Sequence, residues 1–99
     1  MSKEQRKLAI KFPEGVLSGI YANQMVVAHT RDEFVLDFVN LFPPEGVVNA
    51  RLIVSPGHLK RMIGALKENL ARYEKQFGPV IEAAPPGSET EPGPDSMSN

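Results

Sequence analysis

The chain has no cysteine, so disulfides, thiolate zinc sites and cysteine nucleophiles are all excluded. That absence suits a reducing compartment. No run approaches the ~18 consecutive apolar residues that cross a bilayer. The opening stretch MSKEQRKLAIKFPEG carries charge and has no apolar run of signal-peptide length. The expectation is therefore a cytoplasmic protein with no membrane association. Glycines are scattered, and none precedes a helical pattern in a phosphate-binding arrangement. Only two histidines occur, His29 and His58, far apart in sequence. His29 has Asp32 and Asp37 near it in sequence, but no third ligand at metal-binding spacing. Glu33 and Asp37 share a face only approximately, and a carboxylate pair needs a pocket to do acid–base work. No catalytic residue, metal or cofactor is expected, and the chain reads as a non-enzyme.

At 99 residues the chain makes one domain at most, with a small core. The net charge of −1 conceals an uneven distribution. Lys3, Arg6, Lys7 and Lys11 against Glu4 give +3 over residues 1–12, and residues 13–55 carry −3. Lys60, Arg61, Lys67, Arg72 and Lys75 against Glu68 and Glu74 give +3 over 56–78, and Glu82, Glu89, Glu91 and Asp95 give −4 over 79–99.

Residues 7–12 alternate Leu8, Ile10 and Phe12 with Lys7, Ala9 and Lys11, which is strand periodicity. Pro13-Glu14-Gly15 breaks it. Residues 19–29 form a second strand pattern, with Met25-Val26-Val27-Ala28 a continuous apolar run, as in a strand covered on both faces. Thr30-Arg31-Asp32-Glu33 is a polar turn, so an antiparallel hairpin follows with residues 34–42. There Phe34, Leu36 and Phe38 point one way and Val35, Asp37 and Val39 the other. Pro43-Pro44-Glu45-Gly46 ends that strand. Residues 47–54 make the next one, with Val48, Ala50, Leu52 and Val54 on one face and Asn49 and Arg51 opposite. Asn23 and Asp37 are polar groups inside apolar strands; buried, they need partners, and a contact between them would fix the register.

Ser55-Pro56 predicts a helix start, with serine as N-cap and proline at the first helical position. Gly78-Pro79 predicts its end, with glycine in the left-handed position past the last turn. Within residues 56–77, Leu59, Leu66 and Tyr73 fall at heptad position d and Ile63, Leu70 and Phe77 at a. Lys60, Lys67 and Glu74 fall at e, and Met62, Asn69 and Gln76 at g. The stripe either covers the protein's own sheet or forms a seam with another helix; the first reading leads, and the two can coexist. The predicted fold is α+β: a three- to four-stranded antiparallel sheet followed by one amphipathic C-terminal helix and a disordered tail. Residues 1–6 are expected to be flexible, 7–78 to form one β-β-β-β-α domain, and 79–99 to be a disordered acidic tail rich in proline and glycine.

Two functional classes follow. Both faces of the central hairpin carry large apolar groups, which on a soluble protein mark a partner site. The leading expectation is a binding or assembly module acting through protein–protein contacts as a homodimer, with Tyr21, Met25, Val27, Val35 and Val39 as interface candidates. The alternative is a nucleic-acid-associated protein using Lys60, Arg61, Lys67, Arg72 and Lys75. Against it, Glu68 and Glu74 interleave with those cations, and the sheet aromatics form no clear stacking platform.

Four blocks stand in order: Gly19-Ile20-Tyr21-Ala22-Asn23; Glu33-Phe34-Val35-Leu36-Asp37-Phe38; Ser55-Pro56-Gly57-His58-Leu59-Lys60-Arg61; and Asn69 with Tyr73-Glu74 and Phe77-Gly78. Over residues 8–80 the chain resembles domain-of-unknown-function family 3467, small bacterial and archaeal proteins. That resemblance implies no mechanism and carries over no catalytic residues.

Overall fold

A computed structural model describes residues 7–86. Three strands, β1 (Gln24–His29), β2 (Phe34–Phe42) and β3 (Glu45–Val54), form an antiparallel meander in the order β1-β2-β3. A single helix, α1 (Pro56–Phe77), follows. The architecture is α+β, with three strands where a fourth was anticipated. Residues 7–12 form no strand. Their alternation is real, but a strand exists only where a neighbour completes its ladder, and Ile10 is 87% exposed. Pro13 leads instead into a short 3-10 turn at Glu14–Val16. The Val16 N–H donates to the Pro13 carbonyl at 2.9 Å, and Gly19 takes a positive φ of 75°. Residues 79–86 form neither helix nor strand. The expected flexible residues 1–6, and the tail from residue 87 on, lie outside the described residues.

The first hairpin turns where anticipated. The Thr30 N–H donates to the Glu33 carbonyl at 2.9 Å. The Thr30 hydroxyl oxygen accepts the Asp32 and Glu33 N–H groups, each at 3.2 Å, as small polar residues do in turns. β1 begins at Gln24 rather than near residue 19; at Asn23 the backbone N–H still donates to the Val39 carbonyl at 3.0 Å, and the side chain extends the pairing beyond it. The Asn23 amide nitrogen donates to the Leu41 carbonyl at 3.1 Å, and its amide oxygen accepts the Leu41 N–H at 2.8 Å. One residue's side chain thus mimics a paired strand. Asn23 and Asp37 do not meet; each has its own partner, so the contact anticipated between them is absent.

β2 and β3 are joined by Pro43-Pro44, whose peptide bond is cis. β3 begins at Glu45, two residues earlier than anticipated, since Glu45 pairs with Phe42 and Gly46 with Leu41. A Cβ at Gly46 would stand 2.6 Å from Leu41 Cδ1. A bulge then corrects the facing of Val48. Phe38 pairs with Ala50 and Val39 with Val48, leaving Asn49 unpaired between them. The extra residue moves Val48 off the Ala50 face and onto the Val39 face. The Asn49 side chain donates to the Tyr21 carbonyl at 2.9 Å, tying the entry to β1 across to β3.

The helix ends fall where the sequence places them. Ser55 Oγ accepts the His58 N–H at 3.1 Å, and Pro56 occupies the first turn. Gly78 closes the helix with φ 100° and ψ 169°, its N–H donating to the Glu74 carbonyl at 2.8 Å. The positive φ was anticipated, but the residue is extended in ψ and not in the left-handed helical region. The Glu74 carboxylate accepts the Val80 N–H at 2.8 Å, directing the chain away from the axis.

The strand registers set two faces. Met25, Val27, Leu36, Phe38, Ala50, Leu52 and Val54 point to the helix side. Val26, Ala28, Val35, Asp37, Val39, Val48, Arg51 and Ile53 point to the open side. Leu36, at the middle of the central strand, is 2% exposed, and among the described residues it is the one fully buried apolar side chain.

Candidate interaction surface

The first three turns of the helix stand opposite one face of the sheet. Leu59, Met62, Ile63 and Leu66 face Met25, Val27, Leu36 and Phe38 across a groove of about 270 Å³. All eight lining residues are apolar. A small-molecule site ordinarily adds a few polar groups that orient its ligand, and this groove supplies none. Met62, at a g position, joins the groove although the heptad reading set it beside the seam. An α-helix packed on its own sheet presents a stripe wider than a and d alone.

The groove is open at its rim, where Ile63 is 47% exposed and Leu66 68%. Beyond it the stripe continues, with Leu70 and Tyr73 half exposed and Phe77 65% exposed. The Tyr73 and Phe77 rings lean on each other at a centroid distance of 4.9 Å.

The open sheet face is a second uncovered surface. Val26 is 54% exposed, Ile53 58%, and Val48 is similar; Val35 and Val39 are half-buried. At its centre, Asp37 and Arg51 are cross-strand partners. The Arg51 guanidinium donates from Nε to Asp37 Oδ1 at 2.7 Å and from Nη2 to Oδ2 at 2.9 Å. Such a two-pronged fork fixes both side chains in the plane of the face. The guanidinium beside Asp37, by hydrogen bond first and then by charge, holds its carboxyl below the usual aspartate range. The same contacts raise the Arg51 pKa. Elsewhere on β2, the Asn40 amide oxygen is buried with no hydrogen-bond partner.

The five interface candidates therefore divide between surfaces. Met25 and Val27 line the groove under the helix. Val35 and Val39 lie on the open face. Tyr21 precedes β1 and is exposed. Periodicity identified apolar groups on both sides of the hairpin; for Leu70, Tyr73 and Phe77 it left two readings, cover for the chain's own sheet, which led, and a seam with another helix, and these three residues lie outside the groove lining.

The basic residues form no single track. Lys60 and Lys67 border the apolar stripe, Arg61 and Lys75 lie farther round, and Arg72 lies farther still at heptad position c. Arg72 Nη2 donates to Glu68 at 2.8 Å, and Arg61 Nη2 stands 2.8 Å from His58 Nδ1. Phe38, which a stacking platform would present to bases, faces the helix. His29 lies against the Phe34 ring at 5.3 Å and His58 in the first turn of the helix. Among the described residues no group of three His, Asp or Glu side chains is placed to hold a metal ion, and no helix is long and apolar enough to cross a membrane.

A family model described as "Protein of unknown function (DUF3467)" matches residues 1–82. The chain belongs to that family. No curated protein and no solved structure matches it.

Proposed function

We propose that this domain is a non-enzymatic assembly module that acts through protein–protein contacts in the cytoplasm, as a homodimer. The observation that supports this reading is that Leu36 is the single buried apolar side chain among the described residues, set beside exposed apolar residues on the helix and on the open sheet face. Folding must offset roughly 1–2 kcal/mol of backbone entropy per ordered residue. Apolar burial is the main compensating term, at ~25 cal/mol per Å². A sheet with one enclosed side chain gains little of it alone, and association supplies the remainder. A second copy is always present at the site of synthesis, and two-fold pairing is the commonest closed solution.

Sedimentation equilibrium on the full chain tests this. The expected result is a dimer at micromolar concentration; a well-folded monomer at high micromolar concentration overturns it.

A further inference from the structure

The helix beyond the groove has a charge and size pattern that selects one partner arrangement. We infer that residues 66–77 of two copies pair as an antiparallel two-helix seam, an inference that rests on the homodimer reading above and specifies its interface.

The heptad positions carry the argument. In an antiparallel pair, a residues face d residues, and e faces e and g faces g along the flanks. Setting Leu70 opposite the partner's Tyr73 places Leu66 opposite the partner's Phe77. By symmetry each of four layers then holds one aliphatic and one aromatic side chain. In the same register the e residue Lys67 meets the partner's Glu74, and Glu74 meets the partner's Lys67. On the other flank Asn69 meets the partner's Gln76. The layers and both flanks are thus satisfied by one register.

The parallel alternative fares worse on every count. It sets Tyr73 against Tyr73, Phe77 against Phe77 and Leu70 against Leu70, so large and small residues are not interleaved. Its flanks pair each g residue with the e residue five positions on, which brings uncharged Asn69 to the partner's Glu74 and Met62 to the partner's Lys67 and leaves the charges unmatched.

The remaining charges stay clear of the seam. Glu68 and Arg72 neutralise each other along one helix at 2.8 Å. Glu74 accepts the Val80 N–H with Oε2, and its second oxygen is left to accept a lysine. Twelve helical residues span only about 17 Å, too little to hold two isolated helices together. Here each helix is tethered to β3 through the Ser55 cap, and its other end stands over the sheet, with Leu59, Met62 and Ile63 facing it across the groove.

The test uses the full chain and two readouts. Lys67→Glu places like charges opposite each other at two symmetric points, and we expect self-association to weaken about tenfold. Adding Glu74→Lys to the same chain restores opposite charges, and affinity recovers most of that loss although the Val80 contact goes. Helix content by circular dichroism reports whether each variant folds. Orientation is read separately. The chain has no cysteine, so Arg61→Cys and Lys75→Cys each give one spin-label site on the outer side of the helix. In the antiparallel register the two Lys75→Cys labels are offset about 10 Å along the axis and the two Arg61→Cys labels about 30 Å. Recovery in the double variant together with that difference in label distance supports the seam. Equal label distances at the two sites, or a double variant no tighter than Lys67→Glu, overturns it while leaving the homodimer reading standing. A monomeric unsubstituted chain overturns both.

Discussion

From Pro56 to Leu66 the helix lies over the sheet, and Leu59, Met62, Ile63 and Leu66 look into a groove shared with Met25, Val27, Leu36 and Phe38. From Lys67 to Phe77 the same 4-3 spacing continues past the groove-lining residues, with Leu70 and Tyr73 about half exposed and Phe77 65% exposed, much as Ile63 and Leu66 are at the groove's rim. The two halves obey one sequence rule and differ in what stands opposite: sheet residues across a groove for the first, none of that lining for the second. Apolar spacing therefore specifies a face without specifying its occupant.

The sheet-covered half can be broken from below. Leu36→Ala removes the one apolar side chain buried among the described residues and opens the groove further, and should lower unfolding stability by about 2–5 kcal/mol, read from the urea midpoint at fixed chain concentration. The free half should respond in a different observable. Leu70→Glu places a charge in the middle of the exposed stripe and should weaken self-association by about 2 kcal/mol per chain while helix content at high concentration is retained. If Leu70→Glu instead unfolds the domain as Leu36→Ala does, the two halves are not separable.

Much of this division was legible before any coordinates. Ser55-Pro56 and Gly78-Pro79 bound the helix because capping is local chemistry, carried by a hydroxyl acceptor at one end and a positive-φ glycine at the other. The strand over residues 34–42 was equally plain, since both its faces are set by alternation. What escaped was non-local. Leu8, Ile10 and Phe12 alternate as a strand does, but no neighbouring strand takes them up. The bulge at Asn49 reverses Val48, and nothing at residues 47–54 announces it. Asn23 was marked as needing a partner, but its two bonds to the Leu41 backbone depend on a residue 18 positions away. The candidate surface was legible as apolar excess on residues 20–39; for the helix the spacing offered both own-sheet cover and a seam with another helix, and it could not divide the stripe between them because one spacing suits both.

Smaller effects sharpen the same contrast between covered and open regions. Asn23→Ala leaves the Leu41 N–H and carbonyl unpaired at the end of the sheet and should cost about 1–3 kcal/mol. Hydrogen exchange at the Leu41 amide should accelerate, with the helix amides unaffected. On the open face the expected effect is smaller still and depends on pH. The folded Asp37 carboxyl titrates below its ordinary range, so the unfolded chain takes up its proton first as pH falls. The contribution of the Asp37–Arg51 fork is then fully present above the ordinary aspartate value of ~3.9 and is lost as pH drops through the folded value. Asp37→Asn should flatten that acid limb of the stability profile and leave stability near pH 7 modestly reduced.

The central claim is that a second copy completes a fold that one copy leaves open. Thermal unfolding followed across a hundredfold range of chain concentration tests it most directly. The account predicts a midpoint that rises steadily with concentration, each tenfold step stabilising the dimer by about 1.4 kcal/mol. A midpoint that does not move with concentration, in a chain that unfolds cooperatively and reversibly, would contradict it.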